Sequence, residues 1–319
     1  MAHAMSANTI FCKSAAALLF AATLCAQPPM GGRGGPPMSD AMRQAQQLMR
    51  DGKLSDALAI YEKENASNQA GTVLDLMGKG AEARKHFQKA IDAAPDAAAK
   101  ANAQRSMAMS YAFEGDCRNT VKYEQMVIAY WVTREQADPQ NAFYQEGEMA
   151  NEAARVCIDA GDLEAADTWY RKGTELGLKE PGNQTHPASL WNFRLEHALA
   201  RIAARKGNKA EAQKHAAAAK AQLDGDPKMA EQQARFFPYL TGYVALYTGD
   251  YKQARDDFEK AIALPGNTAD PFYQCLLGMA YEKLGEKEKA MECYRKASAN
   301  MGHNPPAAFA KPFTRKKLA

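Results

Sequence analysis

At seven candidate turns along 319 residues a glycine is followed five positions later by alanine or threonine: Gly52/Ala57, Gly78/Ala83, Gly115/Thr120, Gly161/Ala166, Gly207/Ala212, Gly249/Ala254 and Gly285/Ala290. Four residues further on, an aromatic ring stands in five of the seven, as Tyr61, Phe87, Tyr170, Phe258 and Tyr294; Glu124, with Tyr123 beside it, and Ala216 are the departures. A chain that repeats its small and large residues in register must repeat its structure. The glycines sit where a helix has to end, because without a Cβ they enter the left-handed region at no steric cost. Asp or Asn often comes next (Asp116, Asp162, Asn208, Asp250), and such side chains cap the helix that follows. The spacing predicts about seven helix–turn–helix units, stacked into an all-α solenoid with no sheet. A composition rich in Ala, Lys, Glu, Gln and Met suits that expectation.

The clearest unit spans residues 271–299. It holds Leu277-Gly278-x-x-Tyr281, then Gly285, then Ala290-x-x-x-Tyr294 and Ala297. Gly278 is small where Tyr294 of the second helix packs, and Ala290 lets the two axes approach. Leu277, Tyr281 and Tyr294 bury one face, at roughly 1.5–3 kcal/mol for each large side chain. This pattern resembles the tetratricopeptide repeat, with its L-G-x₂-Y first helix and A-x₃-F second helix. The resemblance implies a right-handed superhelix whose first helices line a concave groove, and a scaffold that binds a protein or peptide partner there rather than an enzyme. The middle units are longer than the family's ~34 residues: glycines 115, 161 and 207 are each 46 apart, and the step to Gly249 is 42. Long helices over residues 117–136 and 141–160 and a polar loop at residues 177–187 would take up the difference. The second unit is compressed, with a short leading helix over residues 69–77.

Ahead of the array, residues 1–26 read as a secretory signal peptide, with Lys13 before an apolar run that is too short for a ~20-residue membrane span. Cleavage after Ala26 would export the chain to a periplasmic or extracellular space; Leu24 before Cys25 argues against a lipid anchor there. Residues 27–37 form a Pro/Gly-rich linker without the strand or the Gly-Lys-Ser/Thr of a phosphate loop. The repeat array occupies 38–300. Residues 301–319 are left as a basic tail, with Pro305-Pro306 and Arg315-Lys316-Lys317, and a short cap over Phe309 and Phe313.

No catalytic constellation stands at working spacing. The six histidines form no H-E-x-x-H and pair with no cysteine at zinc-site spacing, and there is no G-x-S-x-G. Neither a cofactor nor a metal is expected. A net charge of +3 argues against nucleic acid as a partner. Four cysteines remain in the mature chain, and export raises the question of disulfides. Cys117 opens the second helix of the third unit and Cys157 closes the first helix of the fourth, so antiparallel packing brings these two together; four small buried hydrophobes is the other reading. Cys275 and Cys293 are the weaker pair.

Carried onto this chain, the family's groove positions fall on Arg105 in the third unit and on Asn151 and Arg155 in the fourth. Arg194, His197 and Arg201 follow in the fifth, and Phe236, Tyr239 and Tyr243 in the sixth. The implied partner is an acidic segment with apolar anchors. The plainer reading is that the arginines are solvated or paired with carboxylates on neighbouring helices. A structural adaptor in envelope assembly or secretion is the first alternative. A cryptic enzyme or small-ligand protein is the second, and an enclosed pocket with convergent polar groups would favour it over an open groove.

Overall fold

The computed structural model describes residues 38–182 and 186–319; the signal-peptide and linker expectations lie outside them. Sixteen α-helices and no strand occur among the described residues. Each predicted turn glycine separates two of them and takes a positive φ, between 70° and 91°. The pairs are α1 (Asp40–Arg50) with α2 (Leu54–Lys63), α3 (Ser67–Met77) with α4 (Gly80–Asp92), and α5 (Ala97–Ala112) with α6 (Cys117–Val132). Then come α7 (Pro139–Ala160) with α8 (Leu163–Gly177), and α9 (Ala188–Arg205) with α10 (Lys209–Gly225). After a short α11 (Pro227–Gln233), α12 (Phe237–Tyr247) pairs with α13 (Tyr251–Ala263), and α14 (Pro271–Lys283) with α15 (Lys287–Ser298). The caps read from the sequence are in place: Asp116, Asp162, Asn208 and Asp250 accept hydrogen bonds from the backbone N–H three residues on, at 3.0–3.2 Å.

One packing rule repeats through the stack. Seven residues before each turn glycine stands a buried Ala or Gly, and nine after it, in five of the seven units, the repeat's ring. A Cβ built on Gly71, Gly242 or Gly278 would come within 2.6, 2.9 and 2.4 Å of the rings of Phe87, Phe258 and Tyr294, so those helices cross at backbone contact. The longer fourth unit uses a different wedge. Trp191, fully buried, fills the space left by Gly147 and Gly177.

The structure departs from the sequence reading in four places. The second helix of the third unit ends at Val132, short of residue 136. Phe236 lies in a 3₁₀ turn (Ala234–Phe236) ahead of α12 rather than inside the leading helix of the sixth unit. Glu124, at a ring position, is fully buried. The largest difference is the tail: residues 305–318 form a complete helix, α16 (Pro305–Leu318). Its prolines 305 and 306 occupy the first turn, where the missing N–H has no intrahelical acceptor to lose, and Asn304 caps it through the N–H of Ala307 at 3.1 Å.

α16 does more than cover the last unit. Phe309 and Phe313 meet Phe272 and Tyr294, at 4.9 and 5.5 Å between centroids, while the other side of the helix packs on α5 and α7. The stack therefore curls until its end touches its beginning. His303 Nε2 lies 2.8 Å from the buried Asp75 carboxylate, Arg315 donates to the Leu76 carbonyl at 3.3 Å, and the His303 ring stacks on Phe113. The inner face of the superhelix is occupied by the chain's own C-terminal segment.

Candidate functional site

What the C-terminal segment leaves free on the inner face is a pocket of about 230 Å³ with Pro305 at its edge. Helical periodicity builds two of its walls. On α7, Glu148, Asn151, Glu152 and Arg155 stand at i, i+3, i+4 and i+7, one face of the helix. On α9, Arg194, His197 and Arg201 do the same. Phe193, Tyr170 and Tyr273 join Phe236 and Tyr239 to make the rest of the lining largely aromatic.

Seven of the nine expected groove residues line this pocket: Asn151, Arg155, Arg194, His197, Arg201, Phe236 and Tyr239. Arg105 does not. It stands in a neighbouring polar cavity, held by both oxygens of Glu152, which lines both spaces. Tyr243 is beneath the wall, fully buried, with its ring edge-on to Tyr239 and its hydroxyl near Arg205 Nη1 at 3.5 Å. Tyr170, Phe193 and Tyr273 were missed: Tyr170 was read as a ring of the repeat's own core, and the other two occupy no family groove position.

The cations are not equivalent. Arg194 is ion-paired with Glu148 and lies over the Trp191 ring, and Arg105 is bound by Glu152. Burial and the adjacent Arg201 hold His197 well below the ordinary histidine range, so it is neutral at pH 7. Of the five basic side chains expected along the groove, Arg155 and Arg201 are left as pocket cations outside those pairs. Arg201 is only 4% exposed and meets no carboxylate; it donates to Tyr239 Oη at 3.1 Å and Tyr170 Oη at 2.6 Å. Arg155 lies over the Phe272 ring at 4.9 Å. The Nε atoms of both arginines and Nε2 of His197 are buried without a hydrogen-bond partner.

Behind the pocket the charges come close to balance without reaching it. Asp159 feels Arg155, Arg201 and Arg205, and Asp270 feels Arg155. Burial pushes Asp159 up to about 6 against the pull of the three arginines, and burial also raises Asp270, which caps α14 through the N–H groups of Phe272 and Tyr273. Burial pushes the Tyr239 phenol up to about 12, so the phenols add no negative charge. Three cations stand against two carboxylates whose charge burial disfavours, so the cluster is net positive.

No group of three or more His, Cys, Asp or Glu side chains that could hold a metal occurs among the described residues. Cys117 and Cys157 are joined as a disulfide, with Cα atoms 4.7 Å apart, which ties the start of α6 to the end of α7 two residues beyond Arg155. Cys275 and Cys293 are free and buried. Among the described residues no helix is long and apolar enough to cross a membrane.

A family model described as tetratricopeptide repeat matches residues 239–268 and 273–299, which cover most of α12–α13 and α14–α15. Among solved structures, that of a tetratricopeptide repeat protein from Parabacteroides merdae is similar over 86% of this chain and 98% of that one, with 18% identity and a TM-score of 0.44. No curated protein sequence matches the chain.

Proposed function

This chain is a tetratricopeptide repeat protein in the two units the family model matches, residues 239–268 and 273–299, and from that premise we propose that it is an exported, non-enzymatic scaffold that holds a partner through the basic and aromatic pocket on its inner face. Repeats of this kind commonly mediate protein–protein interaction. The observation that carries the reading is the pair of arginines, Arg155 and Arg201, set in an aromatic wall with unpartnered Nε atoms and no carboxylate bound to either as Glu148 is to Arg194. A buried guanidinium is stabilised by an anion, and it can grip a carboxylate with two parallel bonds. Aromatic anchors of a partner would fill the remainder. Export is supported by the sequence of residues 1–26 and by the Cys117–Cys157 bridge, since structural disulfides belong to oxidising compartments.

The test is capture by the full chain from the exported fraction, comparing wild type with Arg155→Ala/Arg201→Ala. Retention of a partner by wild type and its loss by the variant, with helicity unchanged, is the expected outcome. Equal retention at equal salt dependence moves the site elsewhere. N-terminal sequencing of the same material should find a mature chain that starts near Gln27.

A second reading has an observation of its own. Because α16 closes the groove, what remains is a pocket rather than an open track, and small-ligand binding moves up from the weaker alternatives.

A further inference from the structure

The inner face cannot take an extended peptide along its length while residues 301–318 lie across it. His303 is fastened to Asp75, Arg315 to the carbonyl of Leu76, and α16 packs on α5 and α7. An occupant that fits the structure as it stands has to fit the pocket itself, about 230 Å³ with Pro305 at the rim. That is room for a body on the order of ten to fifteen non-hydrogen atoms, below the range of drug-sized sites.

Its chemistry follows from what lines it. Two Nε donors, on Arg155 and Arg201, are buried and unpaired, and Arg201 is nine-tenths buried. Arg155, Arg201 and Arg205 outnumber Asp159 and Asp270, so the cluster is net positive and favours an anion. A carboxylate supplies one negative charge there and matches the planar guanidinium fork, whereas a phosphate monoester would bring roughly −1.5 to −2. The anion must lie at this end of the pocket, because the other end carries Glu148 and Glu152, already committed to Arg194 and Arg105. Phe193, Phe236, Tyr239 and Tyr273 line the same pocket, an aromatic lining suited to a ring.

We propose that the pocket is a site for a free aromatic monocarboxylate about the size of a single residue, its acid held by Arg155 and Arg201 and its ring between the aromatic side chains. The proposal rests on the reading that this pocket is the protein's binding site, and it goes further in assigning the pocket to a small molecule and not to a partner's chain.

Calorimetric titration of the full oxidised chain with four probes tests it: 3-phenylpropanoate, 3-phenylpropanamide, phenyl phosphate, and an acetylated five-residue peptide ending in phenylalanine. The expected result is 1:1 binding of the propanoate. The amide, which lacks the charge, should bind about tenfold to a hundredfold more weakly, as loss of a charged hydrogen bond implies. Arg155→Gln should weaken the propanoate by a similar factor and the amide by much less; Arg155 is less buried than Arg201, so this variant serves if Arg201→Gln fails to fold. Tighter binding of phenyl phosphate than of the propanoate overturns the carboxylate assignment. Binding of the peptide alone overturns the small-molecule assignment and leaves the scaffold reading standing. If no probe binds, the proposal falls. The scaffold reading falls with it only when capture is also indifferent to Arg155→Ala/Arg201→Ala.

Discussion

Two buried glutamates show how a side chain that breaks the repeat's pattern is accommodated. Glu124 stands where five of the units carry a ring, and burial, with Glu152 beside it, pushes its carboxyl well up despite the opposing Arg105, favouring the neutral form in that site. Glu146, 1% exposed, is raised to about 7 by burial, with Glu135 adding to the effect. An unfolded glutamate titrates near 4.3, so between that value and about 7 the folded chain binds the extra proton. Stability tied to this group is therefore full below pH 4 and is lost as pH rises through 7. Glu146→Gln removes the titration while keeping the shape. Urea unfolding should show the variant close to wild type at pH 5 and more stable at pH 8, by on the order of 2 kcal/mol, less than the full linkage value of the shift. Equal stability at both pH values would mean that Glu146 reaches water in the folded chain.

At the scale of elements, the helix pairs were legible because a turn needs a residue without Cβ and a close helix crossing needs another, and both leave periodic marks in the sequence. Gly285 and Tyr294 locate one unit by themselves. The tail was not legible. Its prolines read as breakers, yet Pro305 and Pro306 occupy the one turn that tolerates them, and Phe309 and Phe313 gain their worth from rings 37 and 19 residues away in sequence, Phe272 and Tyr294. The disulfide belongs to this scale as well, since it joins two helices across a unit boundary with 40 residues between its ends. The chain-entropy account gives closure of such a loop on the order of 4 kcal/mol. Cys117→Ala/Cys157→Ala should lower the urea midpoint accordingly and make it insensitive to dithiothreitol, whereas wild type loses a similar amount on reduction. A wild-type midpoint unmoved by reductant would show that the bridge contributes nothing to stability.

For the whole molecule the decisive feature is closure, and local pattern cannot announce it. The positions of Asn151 and Arg155 on one wall and of Arg194, His197 and Arg201 on a second follow from helical spacing, which is why most of the candidate pocket could be named in advance. That the wall encloses a pocket depends on Asp75 and His303, 228 residues apart, and nothing in either stretch points to the other. Asp75 is buried and holds two partners, Ser110 Oγ at 2.8 Å and His303 Nε2 at 2.8 Å. His303→Ala removes one of them and leaves a buried carboxylate under-satisfied, at a cost of about 1–3 kcal/mol. Closure also predicts where that cost appears. Hydrogen exchange should quicken at both contact ends together, in residues 75–78 and in residues 305–318, with the middle pairs α9–α10 and α12–α13 little changed. Acceleration confined to 305–318 would mean that α16 serves only as the cap of the last unit and that the curl holds without it, and the pocket's rim at Pro305 would then be a consequence of that cap and not of ring closure.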